Sequence, residues 1–333
     1  MSLWKSVAAG LLLATGLLAA PQPVLARGSE AGAAAARWVP MLWEVHGSGD
    51  ARVLLLGSTH LLEPEDYPLP VDVEAAYARA GRLVFELHPA QMQSPALAAA
   101  MLAAGRRTDG RRLQDELPTG QWQALSAWAG RRSLPVTALQ GSKAWFAALN
   151  VSLTEMAAGG LQADLGLDRH LMARAGSDGR PMQGLEDGLA QIALFDRLDS
   201  AAQQAMLEEA LADAGDGGQR WRALLAAWRS GEAARFWEKA GAPLASSHPV
   251  LYQAINVQRN EAWMEQLPQW LGAGQGTTLV VVGALHLVGN DGLVERLRAA
   301  GHQVERVCSV AACPAREGRR RRRHLHLHGH GRL

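Results

Sequence analysis

Short aliphatic runs stand near both ends of this 333-residue chain, and stretches with helical spacing of apolar positions fill its middle. At the N-terminal side, residues 42–45, 52–56 and 82–87 read as strands. An Ala-rich helix over 71–80 lies between the second and third, and strand, helix, strand in that order predicts at least partly parallel pairing. From residue 94 to 271, Ala, Leu and Trp recur at helical intervals, punctuated by Gly110, Pro118, Gly130, Pro135, Gly159-Gly160 and Gly217-Gly218. One strand, over 180–185, interrupts that region. A long helix over 250–270, a strand over 278–282, a helix over 292–300 and a strand over 303–307 close the pattern. The expected fold is mixed α/β: a central mixed sheet formed by the N- and C-terminal segments, with a large helical middle section packed around it. Trp122, Trp128, Trp145, Trp221, Trp228 and Trp237 fall in that middle section and read as packing residues rather than as a carbohydrate or cofactor box.

The two ends change the picture. Residues 1–26 have the build of a secretory signal: Lys5, an apolar stretch over 7–20, then Pro21, Pro23 and the small-residue exit Val24-Leu25-Ala26. That stretch is short for a membrane span, so the expectation is an exported, periplasmic or secreted body with no span of its own. The body, residues 36–310, fits one large domain or two closely packed lobes. Residues 314–333 form an Arg/His-rich tail, in which Arg319 to Arg323 precede His324, His326, His328 and His330. Such a segment has nothing with which to build a core, though alternating histidines can hold divalent metal loosely. The formal net charge of +1 conceals an acidic body: from Arg316 onward seven Arg stand against one Glu, and removing that surplus of six and Lys5 leaves −6. An acidic body argues against nucleic acid as partner. The two cysteines, Cys308 and Cys313, are placed to close a small local disulfide in an oxidising compartment, and no nearby His pair completes a zinc pattern.

Candidate chemistry concentrates in a phrase that occurs twice, VLLLGSTHL over 53–61 and LVVVGALHL over 279–287. Each copy is a buried-strand pattern, a Gly where the backbone must turn or pass close to something, and a histidine three residues on. This puts His60 and His286 at strand mouths, where ligands bind in α/β sheets. Glu86 interrupts the apolar run LVFEL, an expensive place for a charge unless it is paired or coordinates something. His88, two residues on, would share its face if the strand continued. Glu186 stands at another strand exit, beside Asp187, which reads as a helix cap. Arg259, in the long helix, can bind a carboxylate or steady developing negative charge. Two neutral imidazoles with one or two carboxylates suit a divalent metal that keeps a position open for water. Spacing alone leaves the alternative open that each histidine simply bonds a backbone carbonyl at a strand-to-turn junction.

Taken in order, these elements resemble the TraB/GumN family, bacterial relatives of the Tiki metalloproteases. The resemblance runs from about Trp38 to Val307. It is carried by Gly57-Ser58-Thr59-His60 followed by Leu69-Pro70, by Glu86, by Gly166-Leu167-Asp168 opening a helix, and by Gly184-Leu185-Glu186. Trp228 with Gly231, Arg259-Asn260, and Gly283-Ala284-Leu285-His286-Leu287 with Gly289 complete it. The resemblance implies a mixed sheet surrounded by helices and a site for metal-dependent peptide cleavage. His60 and His286 are then implied as metal ligands, Glu86 as ligand or general base, and Glu186 and Arg259 as supporting catalytic residues. Manganese or cobalt are the implied ions, with zinc an alternative. Two departures stand out: Gly-Ser precedes the first histidine where the family often has Gly-Thr, and His88 occupies a position where the family has an acid.

The leading expectation is therefore an exported metal-dependent hydrolase, peptidase-like, acting on a peptide or another small carbonyl compound such as an ester. The alternative is a non-catalytic protein of the same fold that binds a pheromone-like peptide, a metal or haem.

Overall fold

The computed structural model describes residues 38–60, 62–159, 165–309 and 313. The signal-like segment and the Arg/His tail lie outside the described residues. The fold is mixed α/β, built on one six-stranded sheet in the order β4-β3-β5-β2-β1-β6. Its strands are β1 (Leu42–His46), β2 (Arg52–Ser58), β3 (Arg82–Leu87), β4 (Met182–Glu186), β5 (Thr277–Gly283) and β6 (Val304–Arg306). The strands β4, β3, β5 and β2 run parallel, whereas β1 pairs antiparallel with both β2 and β6.

The position of each strand follows from its hydrophobicity. In β2 and β5 every residue after the first is buried, the signature of parallel strands covered on both faces. They accordingly lie side by side in the middle. The less buried β4 and the three-residue β6 take the two edges, where a short strand exposes few unpaired backbone groups. The copies of the repeated phrase are thus neighbours, yet not in textual register: Leu54 pairs with Leu279 and Ser58 with Gly283, one residue out of step with the repeat.

Two expectations are amended. The sheet is not built from the chain termini alone, because β4 from the helical middle extends it beyond β3. The long helix expected over 250–270 is instead Pro249–Tyr252, a π-helical turn over Gln253–Val257, and Gln258–Met264, followed by the separate turn Pro268–Leu271. Pro268 lacks the N–H that a continuing helix needs. The π turn adds one residue and rotates the helix after it by about 100° relative to an uninterrupted helix, which changes the direction in which Arg259 and Asn260 point.

The helical middle section packs around the sheet, with helix Ala144–Ala158 against helix Ser200–Gly215. Trp128, Trp145 and Trp228 are buried, and Trp122, Trp221 and Trp237 pack partly buried against the core, all six in packing roles. Trp228 also stacks on Trp38, ring centres 4.5 Å apart, and its Nε1 donates to the Gly57 carbonyl at 3.0 Å. It thereby braces the first glycine turn. After β6 a disulfide joins Cys308 to Cys313, and Ser309 donates from its hydroxyl and backbone N–H to Asp72 in helix Val71–Arg79.

Candidate functional site

Parallel pairing of β2, β5, β3 and β4 brings four carboxyl ends to one edge of the sheet. Glu186 is the last residue of β4, Glu86 the penultimate residue of β3, and Gly283 the last of β5. His60 follows the end of β2 by two residues, and His286 ends a 3-10 turn directly after β5. The helix beyond the π turn adds Arg259.

Arg259 ties the acids together. Its Nε donates to both oxygens of Glu186 at 2.9 and 3.1 Å, and its Nη2 donates to Glu186 Oε1 and, at 2.5 Å, to Glu86 Oε2. Its Nη1 reaches the Ile255 carbonyl at 3.2 Å and His286 Nε2 at 3.1 Å. The guanidinium lies over the Trp263 ring, 4.9 Å from its centre, and the same ring lies 4.4 Å from the His286 imidazole. The remaining oxygen of Glu86, Oε1, accepts the backbone N–H of Gly283 at 2.8 Å. A side chain on residue 283 would crowd that contact, since its Cβ would stand 3.2 Å from Oε1. Glycine is what lets a buried carboxylate sit on the end of β5.

These contacts assign the protons. Because Arg259 can only donate, His286 Nε2 must accept, and so Nδ1 carries the hydrogen and donates to Asn260 Oδ1 at 2.7 Å. Asn260 is oriented in turn, its Nδ2 donating to the Asp291 carbonyl at 2.8 Å. Burial and the neighbouring guanidinium push the His286 pKa down to about 3, so the imidazole is neutral. At His60 the partner is a carboxylate: Nδ1 lies 2.7 Å from Asp168 Oδ2. Burial alone would lower the His60 pKa, but the Asp168 carboxylate outweighs it and the pKa is raised. Glu86 is held ionised, its pKa lowered to about 2; burial acts the other way and is overcome chiefly by the Arg259 guanidinium, with His60 and the Gly283 N–H adding to it. Arg259 is held more firmly charged than usual, because Glu186 and Glu86 outweigh its own burial.

Asp168 reaches His60 through a close approach of backbones. The N–H of Leu167 donates to the Thr59 carbonyl, and a Cβ on Gly166 would lie 2.5 Å from the His60 carbonyl oxygen. Only glycine allows helix Leu167–Ser177 to start against the first histidine turn, and Asp168 in its first turn then meets the imidazole. The outcome is a buried Nε2 on His60 with no hydrogen-bond partner among the described residues, and His60 lines a small pocket with Ser58, Glu86, Asp168, Met172 and Gln191.

Thus His60, Glu86, Glu186, Arg259 and His286 lie at one end of the sheet. His88 does not join them: β3 stops at Leu87, and the His88 imidazole instead accepts the Ala90 N–H as the cap of the short helix Pro89–Met92. Proline at the first helical position ends the strand and turns His88 away from Glu86. Asp187 caps helix Gly188–Asp196 as expected, accepting from Leu189 and Ala190. Asp168, Asn260 and Gln191, which donates to Glu186 Oε1 at 2.7 Å, are site residues that spacing did not single out. Asp168 stands 108 positions after His60, and no periodicity pairs them. The available signals were the family resemblance, whose elements include Gly166-Leu167-Asp168 and Arg259-Asn260 without a role for either polar residue, and an acid at a helix start, which ordinarily marks only a favourable helix dipole.

As a test of metal binding the arrangement speaks both ways. The neutral His286 imidazole and the ionised Glu86 carboxylate are in the protonation states that ligation needs, whereas His60, drawn towards its charged form by Asp168, must be neutral at Nε2 to ligate. Asp168 and Asn260 on the far nitrogens fix the rings as metal-bound histidines are fixed. Among the described residues, however, no three His, Cys, Asp or Glu side chains are gathered closely enough to enclose an ion as they stand. His286 Nε2 lies 4.0 Å from Glu86 Oε1, and Arg259 bonds both groups.

Fold and site together define an α/β protein with a buried centre of paired polar and charged groups at the carboxyl ends of its parallel strands. Residues 41–306 match the model of the TraB/PrgY/gumN family, and the chain belongs to that family. It is similar to the protein YbaP of Escherichia coli (strain K12), 25% identical over 250 residues that cover 75% of this chain and 89% of YbaP. YbaP of Shigella flexneri shows the same identity and coverage. No solved structure gives a significant match.

Proposed function

We propose that the chain is a divalent-metal-dependent hydrolase of peptide bonds, with His60, His286 and Glu86 holding the ion. The observation that carries this reading is that His60, whose Nδ1 is held by Asp168, lines a small pocket together with Glu86 and has a buried Nε2 with no hydrogen-bond partner among the described residues. A polar atom buried without a partner costs about 1–3 kcal/mol, and a bound cation removes that cost. Manganese or cobalt are the favoured ions and zinc a third. Once bound, the ion would supply a water of lowered pKa and polarise the substrate carbonyl.

The chain's own residues would do the rest. Asp168 and Asn260 keep the Nε2 lone pairs of His60 and His286 turned inward. Engaging His286 Nε2 requires Arg259 Nη1 to release it, which frees a guanidinium hydrogen to steady an oxyanion. Glu86 and Glu186 are the available acceptors for the proton of the attacking water. Export of the body is part of the same proposal, supported by the signal-like residues 1–26 and by the Cys308–Cys313 disulfide, which suits an oxidising compartment. Among the described residues no helix is long and apolar enough to cross a membrane.

The test is mass spectrometry of a peptide library incubated with Mn²⁺ and the full chain, its tail histidines 324, 326, 328 and 330 replaced by alanine. Cleavage that disappears in His60→Ala and in His286→Ala is the expected result. The second reading, a non-catalytic peptide-binding protein, is favoured by one observation: Arg259 already engages both acids and His286 Nε2. Intact peptides that co-purify, with none cleaved, would decide for it.

A further inference from the structure

The pocket at His60 and Glu86 encloses only about 10 Å³, room for a water or an ion. The backbone of a substrate must lie elsewhere. Next to the site, helix Gly188–Asp196 and the helical run from Pro249 to Met264 border a groove of about 600 Å³, within the usual range for small-ligand sites. Ala190 and Leu194, four residues apart, present one wall, and Val250, Ala254 and Gln258 present the other. The groove has a near and a far end. At the near end Ala190 and Gln258 each immediately precede a site residue, Gln191 and Arg259. At the far end lie Val250, Arg197 and Asp199, the last engaged as a helix cap by the Ala202 N–H.

From Gln258 to Val250 is eight residues, about 12 Å of helix, which matches three to four residues of extended peptide. The far end carries an exposed guanidinium: Arg197 has no ion pair and no side-chain hydrogen bond among the described residues. The amides of Gln253 and Gln258 are likewise exposed and without side-chain partners there, and so are open to a peptide backbone. Val250 at the far mouth and Leu189 beside Ala190 are two of the few large apolar side chains exposed on the described surface, at 59% and 57%.

We infer that this groove binds the substrate chain: an extended apolar peptide whose reacting carbonyl lies at the Gln258 end and whose carboxylate, an acidic side chain or a free C-terminus three to four residues away, pairs with Arg197. The inference rests on the peptidase reading for its orientation only; the groove can bind such a peptide whether or not it is cut.

The experiment is fluorescence anisotropy of dye-labelled Ala/Leu tetrapeptides, with either a free or an amidated C-terminus, titrated with the full chain. The wild-type chain should bind the free-carboxylate peptide at least ten-fold more tightly than its amide. Arg197→Glu should abolish that preference, and Ala190→Trp, which fills the near end, should weaken both peptides about ten-fold. Both positions are exposed, so the variants should fold, as circular dichroism will verify. Arg197- and Ala190-dependent binding would uphold the groove even where the peptide-library assay with Mn²⁺ finds no cleavage and the peptidase reading fails. No binding of either peptide to wild type, or binding that ignores both substitutions, would overturn the groove.

Discussion

His60 and His286 each stand three residues after a glycine at the end of adjacent parallel strands, and the chain gives them opposite partners. At the first turn Nδ1 meets a carboxylate, Asp168, and Nε2 is buried without a partner among the described residues. At the second, Nδ1 meets a neutral amide, Asn260, and Nε2 accepts from a guanidinium. One imidazole is therefore drawn towards its charged form and the other kept from it, although both are buried. The difference teaches that the repeated phrase fixes only where an imidazole stands. What it can do is set by residues from elsewhere in the chain, Asp168 and the Arg259-Asn260 pair.

Arg259 separates the two settings, so its removal is the harshest way to break the comparison. Arg259→Ala leaves Glu86 and Glu186 buried without their shared cation, and loss of one partner from a buried ion pair costs about 3–5 kcal/mol. Urea unfolding should show a drop of that size, and a change under about 1 kcal/mol would mean that the acids are solvated. Next comes Asp168→Ala, which strands the buried Nδ1–H of His60 at a cost of about 1–3 kcal/mol. The same change should lower the His60 pKa, read from its imidazole resonance in metal-free protein.

The two histidines also predict pH dependences of opposite sign in the metal-free protein. His286 is neutral when folded but takes a proton when unfolded below its ordinary value of 6.5, so its contribution to stability falls as pH drops from 6.5 towards about 3. Glu86 extends that loss, from its ordinary 4.5 down to about 2. His60, raised by Asp168, contributes stability below 6.5 that is lost as pH rises through its folded value. His286→Gln should therefore flatten the acid side of the stability profile, and His60→Gln the neutral side. The mildest change, Asn260→Asp, would make the second turn resemble the first. It should lift the His286 pKa from about 3 without moving His60, and an unmoved His286 would show that Arg259 and burial set its state alone.

Much of this was legible before the structure because it rests on local chemistry. The continuous aliphatic runs of β2 and β5 could only be central strands, and a glutamate inside the β3 run had to be paired. The rest depends on geometry that no local pattern encodes. The register between β2 and β5 is one residue off the textual repeat, since pairing follows how side chains pack across the sheet and not resemblance between strands. Asp168 reaches His60 only because Gly166 lets two backbones touch. The π turn at Gln253–Val257 lies in a stretch whose spacing read as plain helix, yet it aims Arg259 at the acids. His88 misled because alternation along a strand holds only while the strand lasts, and Pro89 ends it.

The central claim, that both histidine turns serve one ion, is tested most directly by the manganese content of the full chain with its four tail histidines replaced, after equilibrium dialysis. The account predicts one Mn²⁺ per chain in that protein and none when either His60→Ala or His286→Ala is added. No bound manganese in the parent protein, or one equivalent that survives both substitutions, would contradict it.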